Sequence, residues 1–286
     1  MKILVTGSNG QLGQELQKLA KNIKQHTLQY TDFQELDICK PAAIKHFVSS
    51  FKPDMIINCA AYTAVDLAEK ETKAAMELNG KAVGHLADIA AANDIRMIHI
   101  STDYVFSGEG FRPYTEKDPA EPKSVYAKSK WAGEEAMQKA GVYGVIIRTS
   151  WLYSEFGNNF VKTIINLAST RKELTIVFDQ IGCPTYARDL ADTIIKILPA
   201  VKNMKKLEVY HYSNEGVASW YDFTQAIVEI RKITTCKILP IETKDFPKPA
   251  ARPFYSVMNK QKIKKDFGIE VPYWKDSLRD CLKKIK

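Results

Sequence analysis

Residues 1–20, MKILVTGSNGQLGQELQKLA, join a short apolar run to an amphipathic segment through a turn rich in glycine. The run Lys2–Thr6 has the length and composition of a buried strand, and Gln11–Ala20 has the apolar spacing of a helix. Glycines occur at the spacing G-x-x-G-x-x-G, at Gly7, Gly10 and Gly13. At a first strand-to-helix turn, glycines permit a tight bend, close approach of a pyrophosphate and close helix packing. The segment predicts a dinucleotide-binding turn; a merely structural turn is the alternative.

The first 150 residues alternate apolar runs with helical patterns, which is typical of successive βαβ units and a parallel sheet. The predicted strands are Lys2–Thr6, Thr27–Tyr30, Met55–Cys59, Met97–Ser101 and Gly144–Arg148. The predicted helices are Gln11–Ala20, Pro41–Phe51, a stretch around Thr72–Asn93, and Tyr126–Ala140. We therefore predict an α/β fold with a Rossmann-type, doubly wound parallel sheet.

A smaller C-terminal α/β lobe is predicted from about Trp151, where the regular alternation ends. Prolines interrupt this part of the chain at positions 184, 199, 240, 247, 249, 253 and 272. We expect residues 1–150 to form the dinucleotide-binding domain and residues 151–286 to form mainly a substrate-binding lobe. The segment around 186–198 has a helical pattern, and we expect it to pack back on the first domain.

Composition narrows the class of protein. The chain has 286 residues, 45% hydrophobic and 26% charged, with no run of about 18 apolar residues that would span a membrane. The net charge of +8 comes from scattered Lys and Arg residues, so we expect a small anionic ligand rather than nucleic acid. We expect a cytoplasmic protein, because no secretory leader is recognisable. The five cysteines lack metal-ligand spacing, which predicts reduced thiols and no metal site: Cys39, Cys59, Cys183, Cys236 and Cys281.

A candidate catalytic pair lies at the start of the last predicted helix. The spacing Tyr-x-x-x-Lys places Tyr126 and Lys130 on one helical face. An ammonium beside a phenol lowers the phenol's pKa from about 10, which predicts a proton donor that works near neutral pH. Thr102 follows the predicted strand Met97–Ser101, and its hydroxyl is expected to bind the reacting substrate oxygen. A role for Thr102 in capping the next helix is the alternative.

The choice between NADH and NADPH is left open by the residues near the second strand. An acid at the end of that strand favours the ribose of NAD, and a basic residue favours the phosphate of NADP. Tyr30 stands where an acid could be, and Asp32 and Asp37 follow it closely.

Several longer motifs carry a resemblance that runs nearly from end to end. They are TGSNGQLG at 6–13, NCAAYTAVD at 58–66, STDYVFSG at 101–108, YAKSK at 126–130, RTSWLY at 148–153, GNNFV at 157–161, DQIGCPT at 179–185, and Arg252-Pro253. With these motifs the chain resembles the extended short-chain dehydrogenase/reductase family, and within it the reductases of dTDP-4-dehydrorhamnose.

The resemblance implies roles for individual residues. Tyr126 would be the proton donor, Lys130 would tune it and hold the nicotinamide ribose, and Thr102 would bind the reacting oxygen. The implied cofactor-binding residues are Gly7, Gly10, Gln11, Leu12, Gly13, Asp37, Ile38, Ala61, Tyr62, Thr63, Tyr126 and Lys130. The implied substrate-binding residues are Thr102, Asp103, Trp151 and Arg252. The Arg252 guanidinium would donate hydrogen bonds to a pyrophosphate.

The implied reaction is reduction of the C4 ketone of dTDP-4-dehydro-6-deoxy-L-mannose by NADPH or NADH, which gives dTDP-L-rhamnose. Two other functions stay open: a reductase or epimerase of another sugar nucleotide, and a non-catalytic regulatory subunit of the same fold. Some family members dimerise through magnesium. Here Glu15 fits one of their carboxylates, but Arg188 stands at the other, so we expect a monomer or a homodimer without bound metal.

Overall fold

The computed structural model of the chain describes residues 1–21 and 25–285. Its centre is a parallel sheet of six strands. In spatial order they are Leu207–His211, Gly144–Thr149, Arg96–Thr102, Met55–Asn58, Lys2–Thr6 and Thr27–Thr31. All five strands predicted from the sequence are present, with bounds that differ by at most one residue. The prediction of a doubly wound α/β sheet is confirmed.

The direction of winding reverses at the first strand. Lys2–Thr6 pairs with Thr27–Thr31 on one side and with Met55–Asn58 on the other. In open parallel sheets, ligands bind at the carboxyl edge where the winding reverses. The ends of the first and third strands therefore mark the expected place of the site.

Helices cover both faces of the sheet, because neighbouring side chains of each strand point to opposite sides. Ile3 and Val5 belong to one buried cluster, which includes Leu16 of the first helix. Leu4 belongs to the cluster on the other face together with Ile44 of the second helix. Both faces of the strands are thus buried, which explains why they are apolar throughout.

Eleven α-helices surround the sheet and build the second part of the chain within the described residues. They are Gln11–Ala20, Pro41–Phe51, Val65–Ala68, Thr72–Met76, Ala82–Ala92, Val125–Ala140, Phe160–Thr170, Ala187–Lys202, Trp220–Ile230, Gln261–Phe267 and Trp274–Leu282. A π-helical turn, Glu77–Lys81, joins two of them within the single long stretch that the sequence predicted. Short 3₁₀ turns occur at Asp103–Val105 and Thr243–Asp245.

The second half of the chain contributes three small sheets. Their paired strands are Leu152–Tyr153 with Thr185–Tyr186, Glu173–Val177 with Lys237–Ile241, and Ile181–Gly182 with Ala218–Ser219. A separate apolar cluster underlies them, with Tyr153, Phe223 and Leu278 among its members.

Residues 187–211 lie with the main sheet. Helix Ala187–Lys202 packs on the first helix, and Leu207–His211 is an edge strand of the sheet. The division into domains at about residue 150 stays a prediction. Across residues 1–21 and 25–285, no helix is both long and apolar enough to cross a bilayer. The cytoplasmic location stays a prediction.

Candidate active site

The glycine turn has the backbone that its spacing predicted. Gly7 has a φ of +66°, and a Cβ there would lie 2.4 Å from the backbone nitrogen of Ala60. A Cβ at Gly13 would lie 2.5 Å from the carbonyl oxygen of Gly7. A side chain fits at neither position. Around Gly10 the nearest atom to a Cβ is 3.3 Å away, so this position is less crowded by the protein itself.

The first helix begins directly at this turn, with Gly10 as its N-cap. No side chain of the described residues caps that end of the helix. Uncapped backbone N–H groups at a helix N-terminus bind phosphate groups, since their dipoles point at the anion. The turn therefore fits the pyrophosphate of a dinucleotide.

A cleft of about 530 Å³ opens beside the turn. The predicted site residues that line it are Gly7, Gly10, Gln11, Leu12, Gly13, Ala61, Thr63, Thr102, Asp103, Tyr126, Lys130 and Trp151. Asp37 and Ile38 line an adjoining cleft, which shares Gly7, Gly10 and Ala61 with the first. The structure thus brings the predicted catalytic residues and the glycine turn to one place.

Two predicted residues make other contacts. The Tyr62 N–H donates to Asn79 Oδ1 at 2.8 Å, and its hydroxyl donates to Glu71 at 2.7 Å. Arg252 lines a neighbouring groove, where its fork donates to both carboxylate oxygens of Asp66 at 2.9 and 2.8 Å. Arg252 is therefore paired with a carboxylate of the chain itself, and its contact with a pyrophosphate stays a prediction.

Tyr126 lies in the first turn of helix Val125–Ala140, which Ser124 caps by accepting a hydrogen bond from the Ala127 N–H at 3.2 Å. Burial raises the pKa of Tyr126 to about 12, and the nearby Thr102 side chain acts in the opposite direction. The prediction of a lowered phenol pKa was wrong for the protein alone, because burial and the Asp103 charge both raise it. The phenol is protonated at neutral pH.

Lys130 is buried one helical turn after Tyr126. Its Nζ donates to the Ile100 carbonyl oxygen at 2.6 Å and lies 3.4 Å from Nε2 of His99. Burial lowers the pKa of Lys130 to about 8. The ammonium is therefore less stable here than in water.

Thr102 and Asp103 close the cleft at the end of their strand. Thr102 Oγ1 accepts from the Tyr104 N–H at 3.2 Å, so the capping role considered from the sequence is present. Its hydroxyl also donates to Asp103 Oδ1 at 3.0 Å. Burial raises the pKa of Asp103 to about 6. A hydroxyl that lines the cleft and bonds a buried carboxyl can also contact a bound oxygen.

Two stacked indoles form one wall of the cleft. Trp151 has a φ of +48° and stacks on Trp220, with ring centroids 3.6 Å apart and planes 6° apart. A Cβ at Gly182 would lie 2.7 Å from the Trp151 ring, so glycine leaves room for the stack. The Trp220 Nε1 donates to Gln180 Oε1 at 3.2 Å. Sequence reasoning missed Trp220, since nothing in its local pattern links it to Trp151.

Asp32 is the acid at the end of the second strand. Its Oδ2 accepts from the Asn9 N–H in the glycine turn at 2.9 Å, and it lines the adjoining cleft with Asp37. Tyr30 packs instead against the apolar cluster on one face of the sheet. Asp32, not Tyr30, is therefore the side chain at this strand end that lines the cleft beside the glycine turn.

His, Cys, Asp and Glu side chains, the usual metal ligands, occur throughout residues 1–21 and 25–285. Within these ranges, no group of three or more His, Cys, Asp and Glu side chains is arranged to hold a metal ion. Glu15 is fully buried, and its Oε1 accepts from the Ser154 hydroxyl at 2.7 Å.

The chain matches the RmlD substrate-binding domain family over residues 1–286. It is 40% identical to a dTDP-4-dehydrorhamnose reductase of Aggregatibacter actinomycetemcomitans, over 98% of this chain and 97% of that protein. It is also 40% identical to the spore coat polysaccharide biosynthesis protein SpsK of Bacillus subtilis, over 98% of this chain and 96% of that protein.

Solved structures agree with these relatives. A dTDP-4-dehydrorhamnose reductase of Clostridium acetobutylicum superposes with a TM-score of 0.93 at 41% identity, over 99% of each chain. A Bacillus anthracis dTDP-4-dehydrorhamnose reductase, crystallised with NADP, superposes with a TM-score of 0.92 at 36% identity, over 99% of this chain and 98% of that one. The chain therefore belongs to the RmlD substrate-binding domain family.

Proposed function

We propose that this protein reduces the C4 ketone of dTDP-4-dehydro-6-deoxy-L-mannose (dTDP-4-dehydro-L-rhamnose) to dTDP-L-rhamnose, with NADH or NADPH as reductant and Tyr126 as proton donor. The relatives named dTDP-4-dehydrorhamnose reductase match almost the whole chain, which supports this substrate. The observation that carries the proposal is one cleft lined by the uncapped glycine turn, Thr102, Tyr126 and Lys130.

A reduced nicotinamide supplies a hydride when it is bound. The protein supplies the proton, and the buried Tyr126 is suited to give it. Its phenol keeps its proton at neutral pH, so it enters the reaction as an acid. As a ketone becomes an alcohol, negative charge develops on its oxygen, and a phenol O–H placed there stabilises that charge. The Thr102 hydroxyl adds to this when its hydrogen turns from Asp103 to the substrate oxygen.

The stacked indoles of Trp151 and Trp220 supply an apolar wall for the deoxysugar. A 6-deoxysugar carries a methyl group that an indole face can cover, whereas a hexose carries a hydroxyl at the same carbon. The wall lies in the same cleft as Tyr126, which supports binding of the sugar beside the proposed proton donor. This arrangement supports a 6-deoxyhexose as the substrate.

We propose further that NADH is the better reductant. The Asp32 carboxylate lines the cleft next to the glycine turn and can accept from a ribose hydroxyl. The phosphate of NADPH would bring negative charge against Asp32 and Asp37. The Bacillus anthracis relative was crystallised with NADP, and initial rates with each dinucleotide test the preference of this chain.

The test is incubation of the purified protein with dTDP-4-dehydrorhamnose and either reduced dinucleotide, with the products separated and identified by mass spectrometry. We expect one equivalent of dTDP-L-rhamnose for each dinucleotide oxidised. An epimerase would rearrange a sugar nucleotide without net oxidation of the dinucleotide. A regulatory subunit would bind the dinucleotide and turn over neither substrate.

A further inference from the structure

A chain of buried polar side chains runs through the sheet from the first strand to the catalytic helix. Its members are Thr6, Asn58, His99 and Lys130, and each is at most 2% exposed. They lie on three neighbouring strands and one helix, behind the cleft. Buried polar groups must satisfy one another, so each donor and acceptor in this chain can be assigned.

The side-chain amide of Asn58 has one possible orientation. The backbone N–H of Ala60 donates to its Oδ1 at 3.1 Å, and a backbone N–H can only donate. The Thr6 hydroxyl donates to the same oxygen at 2.7 Å. The NH₂ group of Asn58 must therefore face Nδ1 of His99, which lies 3.1 Å away.

This orientation sets the position of the proton on His99. An amide NH₂ only donates, so Nδ1 is the acceptor and carries no hydrogen. Burial, with the nearby Lys130 charge, lowers the pKa of His99 well below its usual value, so the ring is neutral. Its one N–H is therefore on Nε2 and points at Lys130 Nζ, 3.4 Å away.

An N–H directed at Lys130 distinguishes its two protonation states. An ammonium has three donors and no acceptor, so it cannot form a hydrogen bond with the His99 N–H, which is also a donor. A neutral amine accepts from His99, donates one hydrogen to the Ile100 carbonyl and keeps the other for a ligand. The contacts of Lys130 are all satisfied only in the amine form.

We propose that Asn58 and His99 are positioning residues that weaken the hold of Lys130 on its third proton before the dinucleotide binds, because Asn58 fixes the His99 proton on Nε2. The consequence for catalysis rests on the function proposed above and on the tuning of Tyr126 by Lys130 that the family resemblance implies. The position of the proton on His99 does not rest on it. The lowered pKa of Lys130 agrees with this assignment.

Other ionisable groups near Lys130 do not cancel the effect of the His99 N–H on its proton. Glu134 raises the pKa of Lys130, but its carboxylate also accepts from Ser101 at 2.5 Å and from the Arg148 fork at 2.7 to 3.2 Å. The Cys59 thiol also faces Lys130, and burial raises the pKa of that thiol to about 12, which keeps it neutral. The Tyr126 phenol is neutral for the same reason.

The proton on His99 can be observed without turnover. Nitrogen-15 NMR of the cofactor-free protein, labelled at its histidine rings, distinguishes the two neutral forms, and the His99→Gln variant assigns the signal. We expect the hydrogen on Nε2. A hydrogen on Nδ1, or a doubly protonated ring at neutral pH, would overturn the proposal and leave the proposed reaction untouched.

Asn58→Asp reverses the arrangement with almost no change in shape. A carboxylate accepts from Nδ1–H, which turns Nε2 into an acceptor for the Lys130 ammonium, the stronger base of the pair. The pH dependence of kcat/KM for the dinucleotide reports ionisations of the free enzyme. We expect a change near pH 8 from Lys130, called the pH limb below, and Asn58→Asp should move it up by about one pH unit.

Thr6→Val is the matched control, because the Ala60 N–H still orients Asn58 after the hydroxyl is lost. We expect the His99 proton and the pH limb to stay as in the wild type. If Asn58→Asp moves the proton to Nδ1 while the limb does not shift, the link to Lys130 is refuted. If Thr6→Val shifts the limb equally, the effect does not run through His99.

Discussion

The chemistry of Tyr126 and Lys130 depends on how deeply each side chain is buried. Burial raises the pKa of the phenol to about 12 and lowers that of the amine to about 8. Both shifts favour the neutral form, because a low-dielectric environment penalises charge. The pair therefore enters the reaction with the proton on Tyr126, as a reductase requires.

Asp32→Asn tests the choice of dinucleotide at one residue. The amide keeps the shape of the side chain and removes its negative charge. We expect the ratio of kcat/KM for NADH to that for NADPH to fall by roughly tenfold or more, since a charged hydrogen bond is lost and a phosphate is no longer repelled. Initial rates with each dinucleotide measure this ratio.

Glu35→Gln is the control for Asp32, because it removes the same charge from an exposed neighbour, while the glutamine oxygen can still accept from the Asp32 N–H as Glu35 does. A similar change of preference in both variants would show that general charge, not the position of Asp32, selects the dinucleotide.

The strands and helices place the residues of the cleft where the carboxyl ends of strands meet the starts of helices. Thr102 ends one strand, Gly7 follows another, and Tyr126 lies in the first turn of a helix. Such ends are where backbone groups and side chains are free to bind a ligand. The small sheets of the second half then bring Trp151 over the same cleft.

Trp220→Ala tests the support that one helix gives to the cleft wall. Loss of the stacked ring leaves Trp151 unsupported in its strained backbone conformation. Aromatic pairs contribute about 0.5–1.5 kcal/mol beyond burial, so the KM for the sugar nucleotide should rise by roughly twofold to twelvefold. Trp220→Phe keeps an aromatic ring, so its KM for the sugar nucleotide should rise less. An equal rise in the KM for the dinucleotide would point to general damage instead.

The elements were predictable from the sequence because their signals are local. The strands are apolar on both faces, and the glycine turn follows the first strand directly. The convergence of Thr102, Tyr126 and Lys130 was also predicted, since the carboxyl edge of a parallel sheet collects such residues. The Tyr126 pKa and the Trp151–Trp220 stack were not predicted, because burial and contacts between distant residues arise only from tertiary packing.

Over the whole molecule, a buried carboxyl connects the main sheet to the second half of the chain. Glu15, on the first helix, contacts Ser154 and lies beside Glu155. Glu155 in turn accepts from the Tyr186 hydroxyl at 2.8 Å, and Lys284 donates to the same hydroxyl. Burial, with Glu155 as a further cause, raises the pKa of Glu15 to about 7.

Stability should therefore depend on pH through Glu15. The folded protein holds this proton up to about pH 7, whereas the unfolded chain releases it near pH 4.5. The unfolded state binds fewer protons in that window, so the free energy of unfolding falls as pH rises through it, by at most about 3 kcal/mol from this group.

Glu15→Gln removes this dependence, since an amide cannot ionise. We expect its Tm, relative to that of the wild type, to increase between pH 5 and pH 8, as measured by thermal unfolding in buffers of matched ionic strength. Glu121→Gln makes the same change on the exposed surface and should show no such trend. A constant difference in Tm across this range would mean that Glu15 is ionised in the folded protein.

The central claim, that Tyr126 gives the proton in a dinucleotide-dependent reduction, is tested by the rate of dinucleotide oxidation with dTDP-4-dehydrorhamnose. Wild type and Tyr126→Phe are compared with Tyr143→Phe, which loses the same hydroxyl at a residue 39% exposed. We predict a fall in kcat of about 10²- to 10⁴-fold for Tyr126→Phe alone, with the Kd for the dinucleotide unchanged. Wild-type turnover by Tyr126→Phe would contradict the account.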